Sequence, residues 1–226
     1  MSELNKEIQY IKGVGPNRVK LLNNINIYNL KDLITYYPRD YEDRNKPVKI
    51  AEAIDGEEVL IEAIPVAKMS EMRVRNRKMT IYKLIVEDET GRCVITWYNQ
   101  SYLKNRFKVG EIYHFFGKVK RIQNRVEMLS PVFDDQNKTK NTGKIIPIYP
   151  LTYNLSQNVL RGIIENGLKL VDNSLEETIP EYIKKEYNLL GINEAINKIH
   201  FPENFDEFEK ARKRLVFEEL LRMQLA

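Results

Sequence analysis

Apolar residues in the first 50 positions recur at intervals of three and four residues. Leu4, Ile8 and Ile11 form such a series at the start of the chain. This spacing is that of one face of an α-helix. It predicts short helices on either side of a glycine turn at residues 13–16, with the last of them ending before Pro38. Residues 41–44 are predicted to be an extended link.

Between residues 55 and 135 the apolar residues alternate with polar ones, which is typical of half-buried β-strands. The clearest alternations are Val59, Ile61, Ala63; Tyr82, Leu84, Val86; and Tyr113, Phe115, Val119. Asp88–Gly91 is a hairpin turn by composition. The pattern predicts five strands, with a short helix over 102–107 after the third strand. This order is that of the OB-fold barrel.

A polar stretch at 136–143 predicts a loop, and helical spacing returns after it. Helices are expected over about 156–171, 180–187, 192–199 and 205–226, with Ser156 as the N-cap of the first. The predicted fold is α+β with several domains. A helical segment (1–50) and a second one (144–226) flank a five-stranded OB-fold β-barrel (55–135). The last helix has no stop signal, so we expect the natural chain to continue beyond Ala226.

Charge is unevenly distributed along the 226 residues, although the net charge is only +4. Residues 101–125 contain seven Lys or Arg and one acid, whereas residues 165–209 contain eleven acids and four Lys. A basic middle segment is suited to a polyanion. The single cysteine, the absence of an apolar run of about 20 residues and the lack of a signal sequence predict a cytoplasmic protein without membrane contact.

Catalytic motifs are absent from the sequence. Gly117-Lys118 and Gly143-Lys144 lack the other residues of a nucleotide-binding phosphate loop. Two histidines and one cysteine, far apart in sequence, make no zinc site. We therefore expect no catalytic residue, no metal and no cofactor in this part of the protein.

The turn formed by Lys12, Gly13 and Gly15 is similar to that of a helix-hairpin-helix. In such turns glycine lets backbone N–H groups approach a phosphate near a helix N-terminus. A tight turn between two packed helices explains the same residues equally well.

Basic residues concentrate in the two barrel loops that OB-folds use for oligonucleotides. The candidates for contacts with a nucleic-acid backbone are Arg73, Arg75, Arg77 and Lys78 in the loop after the first strand, and Lys118, Lys120, Arg121 and Arg125 around the fourth strand. The alternative is an ordinary solvated loop.

Aromatic residues cluster where the third strand ends. Alternation places Trp97 with Cys93 and Ile95 in the core, and Tyr98 on the outside. If the chain becomes helical after Asn99, Tyr102 follows Tyr98 by one turn. Each exposed ring could stack on a base for about 1–3 kcal/mol. One DNA stacking step is worth about 1.4 kcal/mol, so two rings could hold a junction open but could not drive processive unwinding.

Short motifs along almost the whole chain resemble the N-terminal wedge region of the RecG family of bacterial branched-DNA helicases. They are Ile11–Pro16, Leu30–Arg44, Asp88–Gly91, Trp97–Tyr102, Pro147–Arg161, Ile199–Pro202 and Ala211–Leu221. The positions of Tyr98 and Tyr102 match the family's junction-stacking aromatics.

The resemblance implies a division of labour. The wedge would bind forks and four-way junctions in DNA repair and recombination, near the nucleoid. The protein's own motor domains, absent from this chain, would use ATP and Mg²⁺. A stand-alone single-strand-binding OB-fold and a protein-interaction module are the alternatives.

Overall fold

The chain forms two compact units, and one is interrupted in sequence by the other. The computed structural model describes residues 3–74, 78–123, 125–136 and 141–225. A barrel unit comprises Asp43–Lys144, and a helical unit comprises Met1–Glu42 with Ile145–Ala226.

The strands and helices are numbered in chain order. The strands are β1 (Asp40–Asp43), β2 (Glu58–Pro65), β3 (Ser70–Val74), β4 (Met79–Glu87), β5 (Arg92–Tyr98), β6 (Tyr113–Ile122), β7 (Arg125–Leu129), β8 (Val132–Asp135) and β9 (Ile145–Ile148). The helices are α1 (Pro16–Asn23), α2 (Leu30–Ile34), α3 (Gln157–Leu170), α4 (Glu181–Tyr187), α5 (Ile192–His200) and α6 (Phe205–Leu225). Short 3₁₀ helices cover Glu3–Asn5, Ile8–Tyr10 and Ser101–Leu103.

Five strands of the barrel unit pair in a closed circuit. β2 is antiparallel to both β4 and β6, β4 is antiparallel to β5, β5 runs parallel to β7, and β7 is antiparallel to β6. In order of appearance this circuit is strands one, two, three, five, four and back to one. The predicted OB-fold barrel is therefore confirmed.

Two further strands of the barrel unit were not predicted. β3 lies inside the stretch expected to be a loop and pairs with β4, and β8 pairs with β6. The sequence of β3 is almost wholly exposed, so it shows no buried alternation; its ladder with β4 rather than burial makes it a strand. Where a helix was expected over 102–107, the structure has the short 3₁₀ helix Ser101–Leu103.

The barrel core follows the alternation of the strands. Trp97 is 1% exposed and stacks on Phe107 at a ring-centroid distance of 5.4 Å. Cys93 is fully buried, which raises the pKa of its thiol to about 12. Burying each large apolar side chain contributes about 1.5–3 kcal/mol, and this core fixes the strand ends from which the outward-facing residues project.

Residues from both ends of the chain share one core in the helical unit. Ile8, Leu22 and Leu30 pack in the same buried cluster as Leu160 and Ile164. The sequence pattern predicted two separate helical segments, at 1–50 and 144–226. The N-terminal one is less helical than expected, because α1 and α2 are the only α-helices among its described residues.

The C-terminal helices agree closely with their predicted ranges. Ser156 caps α3 by accepting a hydrogen bond from the Val159 amide at 3.4 Å. The predicted extended link at 41–44 overlaps β1, which pairs with β9. No helix among the described residues is long and apolar enough to cross a membrane.

Some of the acidic residues of the C-terminal half are used inside the fold. The buried guanidinium of Arg214 contacts the carboxylates of Glu177 at 2.7 Å and Glu218 at 2.6 Å. Thr178 also donates to Glu218 at 2.9 Å. These acids hold α6 in place, so they do not all contribute to an acidic surface.

A series of hydrogen bonds between buried groups links residues from both ends of the sequence. His200 is 0% exposed, and burial lowers its pKa to about 4. Its Nε2 donates to the Ile34 carbonyl at 2.8 Å, and its Nδ1 accepts from the Tyr149 hydroxyl at 2.8 Å. Because a carbonyl can only accept, the neutral ring carries its proton on Nε2.

Candidate nucleic-acid interface

Tyr98 is the last residue of β5, and its side chain faces outward. Its exposed fraction is 40%, against 1% for the neighbouring Trp97. The following residue, Asn99, adopts a left-handed backbone (φ 55°) and donates its amide N–H to the Thr80 carbonyl at 2.8 Å. Its side-chain oxygen accepts from the Thr80 amide at 2.9 Å. These bonds tie the end of β5 to β4, at the point from which the Tyr98 side chain projects.

Tyr102 lies on the 3₁₀ helix Ser101–Leu103 and is 73% exposed. Leu103 beside it is fully buried and anchors this turn in the barrel core. The condition under which Tyr102 would follow Tyr98 by one helical turn is not met, because Asn99 is left-handed, Gln100 has a ψ of 67° and the 3₁₀ helix begins at Ser101. The two rings are both at the surface, but they do not lie one above the other on a single helical turn.

Two basic residues of the β3–β4 hairpin are exposed. The Arg73 side chain is 82% exposed and lies 3.5 Å from Glu71, a carboxylate that also contacts Lys104 at 2.9 Å. Lys78 is exposed as well. Arg75 and Arg77, predicted to act with them, lie outside the described residues.

Lys118 and Lys120 project from the outer surface of β6, because Val119 between them is 1% exposed. Each is paired in register with an acid of a neighbouring strand, Glu58 and Glu127 respectively. Their charges are therefore partly balanced. Exposed residues also include Arg125, at the start of β7.

Arg121 is a structural residue as well as a surface one. Its guanidinium donates to the backbone carbonyls of Ala53 at 3.0 Å, Ile50 at 3.2 Å and Ala51 at 2.6 Å. A guanidinium has five N–H donors, and most of them are used here. Arg121 is therefore less available to a phosphate than the sequence suggested.

The glycine turn is tied into the packing of the helical unit. Gly13 has a φ of 93°, its carbonyl accepts from Arg18 at 2.5 Å, and the Lys12 carbonyl accepts from Asn166 at 2.8 Å. Gly15 is the N-cap residue of α1. The element before the turn is the 3₁₀ helix Ile8–Tyr10, so the first helix of a helix-hairpin-helix is short. These contacts favour the tight-turn interpretation while leaving Lys12 and Gly15 exposed.

Sequence reasoning missed the exposed apolar residues on the outer face of the barrel. Met72 is 54% exposed, Ile85 42% and Leu129 60%. Met72 was not predicted to be part of an outer face, because its strand was interpreted as a polar loop. The one available signal was an unbranched apolar residue in a mostly polar run.

A model of the RecG wedge domain matches residues 7–171 of the chain. The chain belongs to the RecG wedge domain family. The resemblance predicted from the sequence motifs is thereby confirmed.

The ATP-dependent DNA helicases RecG of several bacteria are similar over nearly the whole chain. That of Thermotoga maritima is 36% identical over 229 residues, which are 99% of this chain and 29% of that protein. Those of Synechocystis sp. and Borreliella burgdorferi are 28% and 27% identical, again over 99% of this chain. The chain spans about a third or less of the length of these RecG relatives.

A solved structure of RecG bound to a three-way DNA junction has the same fold over the full chain. It superposes with a TM-score of 0.89 at 35% identity and covers 100% of this chain but 31% of that one. The RecG wedge assignment thus rests on both sequence and structure.

Proposed function

We propose that this chain is the junction-binding wedge of an ATP-dependent DNA helicase of the RecG family. The observation that carries the proposal is the outward-facing Tyr98 at the hydrogen-bonded end of an OB-fold strand, followed by Tyr102, which is 73% exposed. The similar RecG structure is bound to a three-way junction. The wedge would place these rings against the bases where the arms of a fork or four-way junction separate.

The expected stacking energies define what the wedge can do alone. Each ring would contribute about 1–3 kcal/mol, and each separated step costs about 1.4 kcal/mol. The two rings can therefore offset the opening of one or two base pairs. Continued unwinding at stalled forks, in DNA repair and recombination, requires a motor that hydrolyses ATP with Mg²⁺. We assign that motor to the remainder of the larger protein and expect no ATPase activity from this chain.

The phosphates would be held by exposed basic residues of the barrel. Arg73 and Lys78 on the hairpin, Lys118 and Lys120 on β6, and Arg125 on β7 are exposed; we include Arg75 and Arg77 from the sequence. The turn of Lys12, Gly13 and Gly15 is a secondary candidate because it is exposed ahead of α1. We assign Arg121 primarily a structural role, because its guanidinium already binds three backbone carbonyls.

Replacing the rings tests the proposal. Tyr98→Ala and Tyr102→Ala should each weaken binding to a three-way junction roughly five-fold or more, because each removes one stacking platform. Fluorescence anisotropy titrations at fixed salt measure this. Tyr153→Ala is a matched control, since that ring is 87% exposed but lies in the helical unit.

Thermal melts accompany the titrations. The proposal requires all three variants to melt close to the unchanged chain, since the rings are exposed. Unaltered junction binding by both barrel variants would overturn it, as would a collapse in melting temperature that reveals the rings as core.

A single-strand binder is the second candidate, because the closed OB-fold circuit is also found in proteins that bind single strands. The two functions predict opposite preferences between a DNA junction and a single strand. A wedge binds a junction more tightly than an unpaired strand of the same total length, and a single-strand binder shows the reverse order.

A further inference from the structure

A row of three apolar side chains crosses the outer face of β3, β4 and β5. Met72 on β3 is directly opposite Ile81 on β4, and Ile81 is directly opposite Tyr98 on β5. Residues opposite each other in an antiparallel sheet project from the same face. Met72 and Tyr98 are therefore the two ends of one row, with the half-buried Ile81 between them.

The fold gives no reason for an apolar residue at position 72. Among the described residues β3 pairs only with β4, and four of its five residues are exposed. Met72 is 54% exposed, so its side chain contributes little to the core.

The charges around the row favour an anion. Lys83 is exposed two residues from Ile81 on the same face of β4, and Lys78 is exposed in the turn of the same hairpin. The nearby acid, Glu71, is engaged by Lys104 at 2.9 Å. A nucleic-acid strand is complementary to both features, because its bases can contact the apolar row and its phosphates can contact these cations.

We propose that Met72 is a further base-contacting residue of the wedge, beside Tyr98 and Tyr102, which receives a nucleobase already unpaired by Tyr98. This inference rests on the proposed function. Two strand spacings separate the two residues by roughly 10 Å, whereas stacked bases are about 3.4 Å apart. Met72 and Tyr98 therefore cannot sandwich one base. A polarisable, unbranched thioether adapts to any base and is a common apolar wedge in DNA-binding proteins.

The test compares two DNA molecules and five variants, one of which is the Tyr98→Ala protein described above. Met72→Ala and Met72→Gln should weaken binding to a fork with a single-stranded arm by about three-fold or more, and leave binding to a blunt three-way junction within two-fold. Met72→Leu should retain fork binding. Leu129→Ala is the matched control, since Leu129 is 60% exposed on the same barrel but outside the row. Anisotropy gives the affinities, and 2-aminopurine in the unpaired arm reports local stacking.

The two proposals fail in different ways. If Tyr98→Ala weakens fork binding while Met72→Ala and Met72→Gln match Leu129→Ala, the role of Met72 is overturned and the wedge function stands. If neither Tyr98→Ala nor the Met72 variants change fork binding, both are overturned. The inference is supported if Met72→Ala and Met72→Gln weaken fork binding and alter the 2-aminopurine signal, while Met72→Leu and Leu129→Ala do not.

Discussion

His200 is an ionisable side chain that the fold holds in its neutral form. Burial lowers its pKa to about 4, from 6.5 in an unfolded chain. The unfolded state therefore binds more protons between these values, and the free energy of unfolding decreases as the pH falls from 6.5 towards 4. The loss should approach about 3 kcal/mol at the lower end. Urea unfolding at a series of pH values measures it.

The control for this prediction is His200→Gln, which keeps polar atoms in the site but cannot be protonated. We expect this variant to be less stable at pH 7 and to have a shallower pH dependence between 6.5 and 4. An identical slope in both proteins would assign the acid sensitivity to other groups.

Single residues differ in how far sequence alone can place them. Trp97 and Tyr98 were separated correctly because strand alternation is a local rule. Arg121 was not understood from sequence, because the three carbonyls that it binds belong to residues 50–53, some 70 positions away. A cation in a strand looks the same whether it meets solvent, a phosphate or its own backbone.

Helix α3 contains two glycines that should respond oppositely to alanine. A Cβ on Gly167 would lie 2.6 Å from the Leu33 side chain, whereas a Cβ on Gly162 would meet no atom within 4 Å. Gly167→Ala should destabilise the chain by about 1–3 kcal/mol through overpacking against α2. Gly162→Ala should stabilise it by about 0.5–1 kcal/mol, because alanine is the better helix former. Denaturant unfolding of both variants checks the signs. Equal effects would mean that helix propensity alone decides both.

Helices with a continuous apolar stripe were predicted well, and elements made by pairing were not. The ranges of α3 and α5 were predicted within one residue or so, because each has a strongly amphipathic sequence. β3 escaped notice because a mostly exposed strand carries no alternation, and only its ladder with β4 defines it. For the same reason the Met72 row could not be found without the register.

The charge of the whole surface should appear in the salt dependence of DNA binding. Replacing Arg73, Arg75 and Arg77 together by Gln should reduce the slope of log K against log salt by about 0.9 for each duplex phosphate that the variant no longer neutralises. Titrations at several salt concentrations measure the slope. Lys169→Gln with Lys210→Gln is the control, since both lysines are paired with acids on the helical unit. An unchanged slope in the arginine variant would place the phosphate-binding residues elsewhere.

At the scale of the molecule, the family was visible in the sequence but the arrangement of the helical unit was not. Motifs such as Trp97–Tyr102 are short and local, so they can be recognised one by one. The shared core of Leu30 and Leu160 joins residues 130 positions apart. Nothing in the periodicity of either segment specifies that pairing.

The chain enters and leaves the barrel unit at neighbouring points. The Arg44 amide donates to the Lys144 carbonyl at 3.1 Å, and the Gly143 amide donates to the Arg44 carbonyl at 2.7 Å. A segment whose two ends are hydrogen-bonded to each other in this way can be described as a domain inserted into a host domain. Its loops and surface can change, or a related barrel can replace it, while the host sequence on either side remains the same.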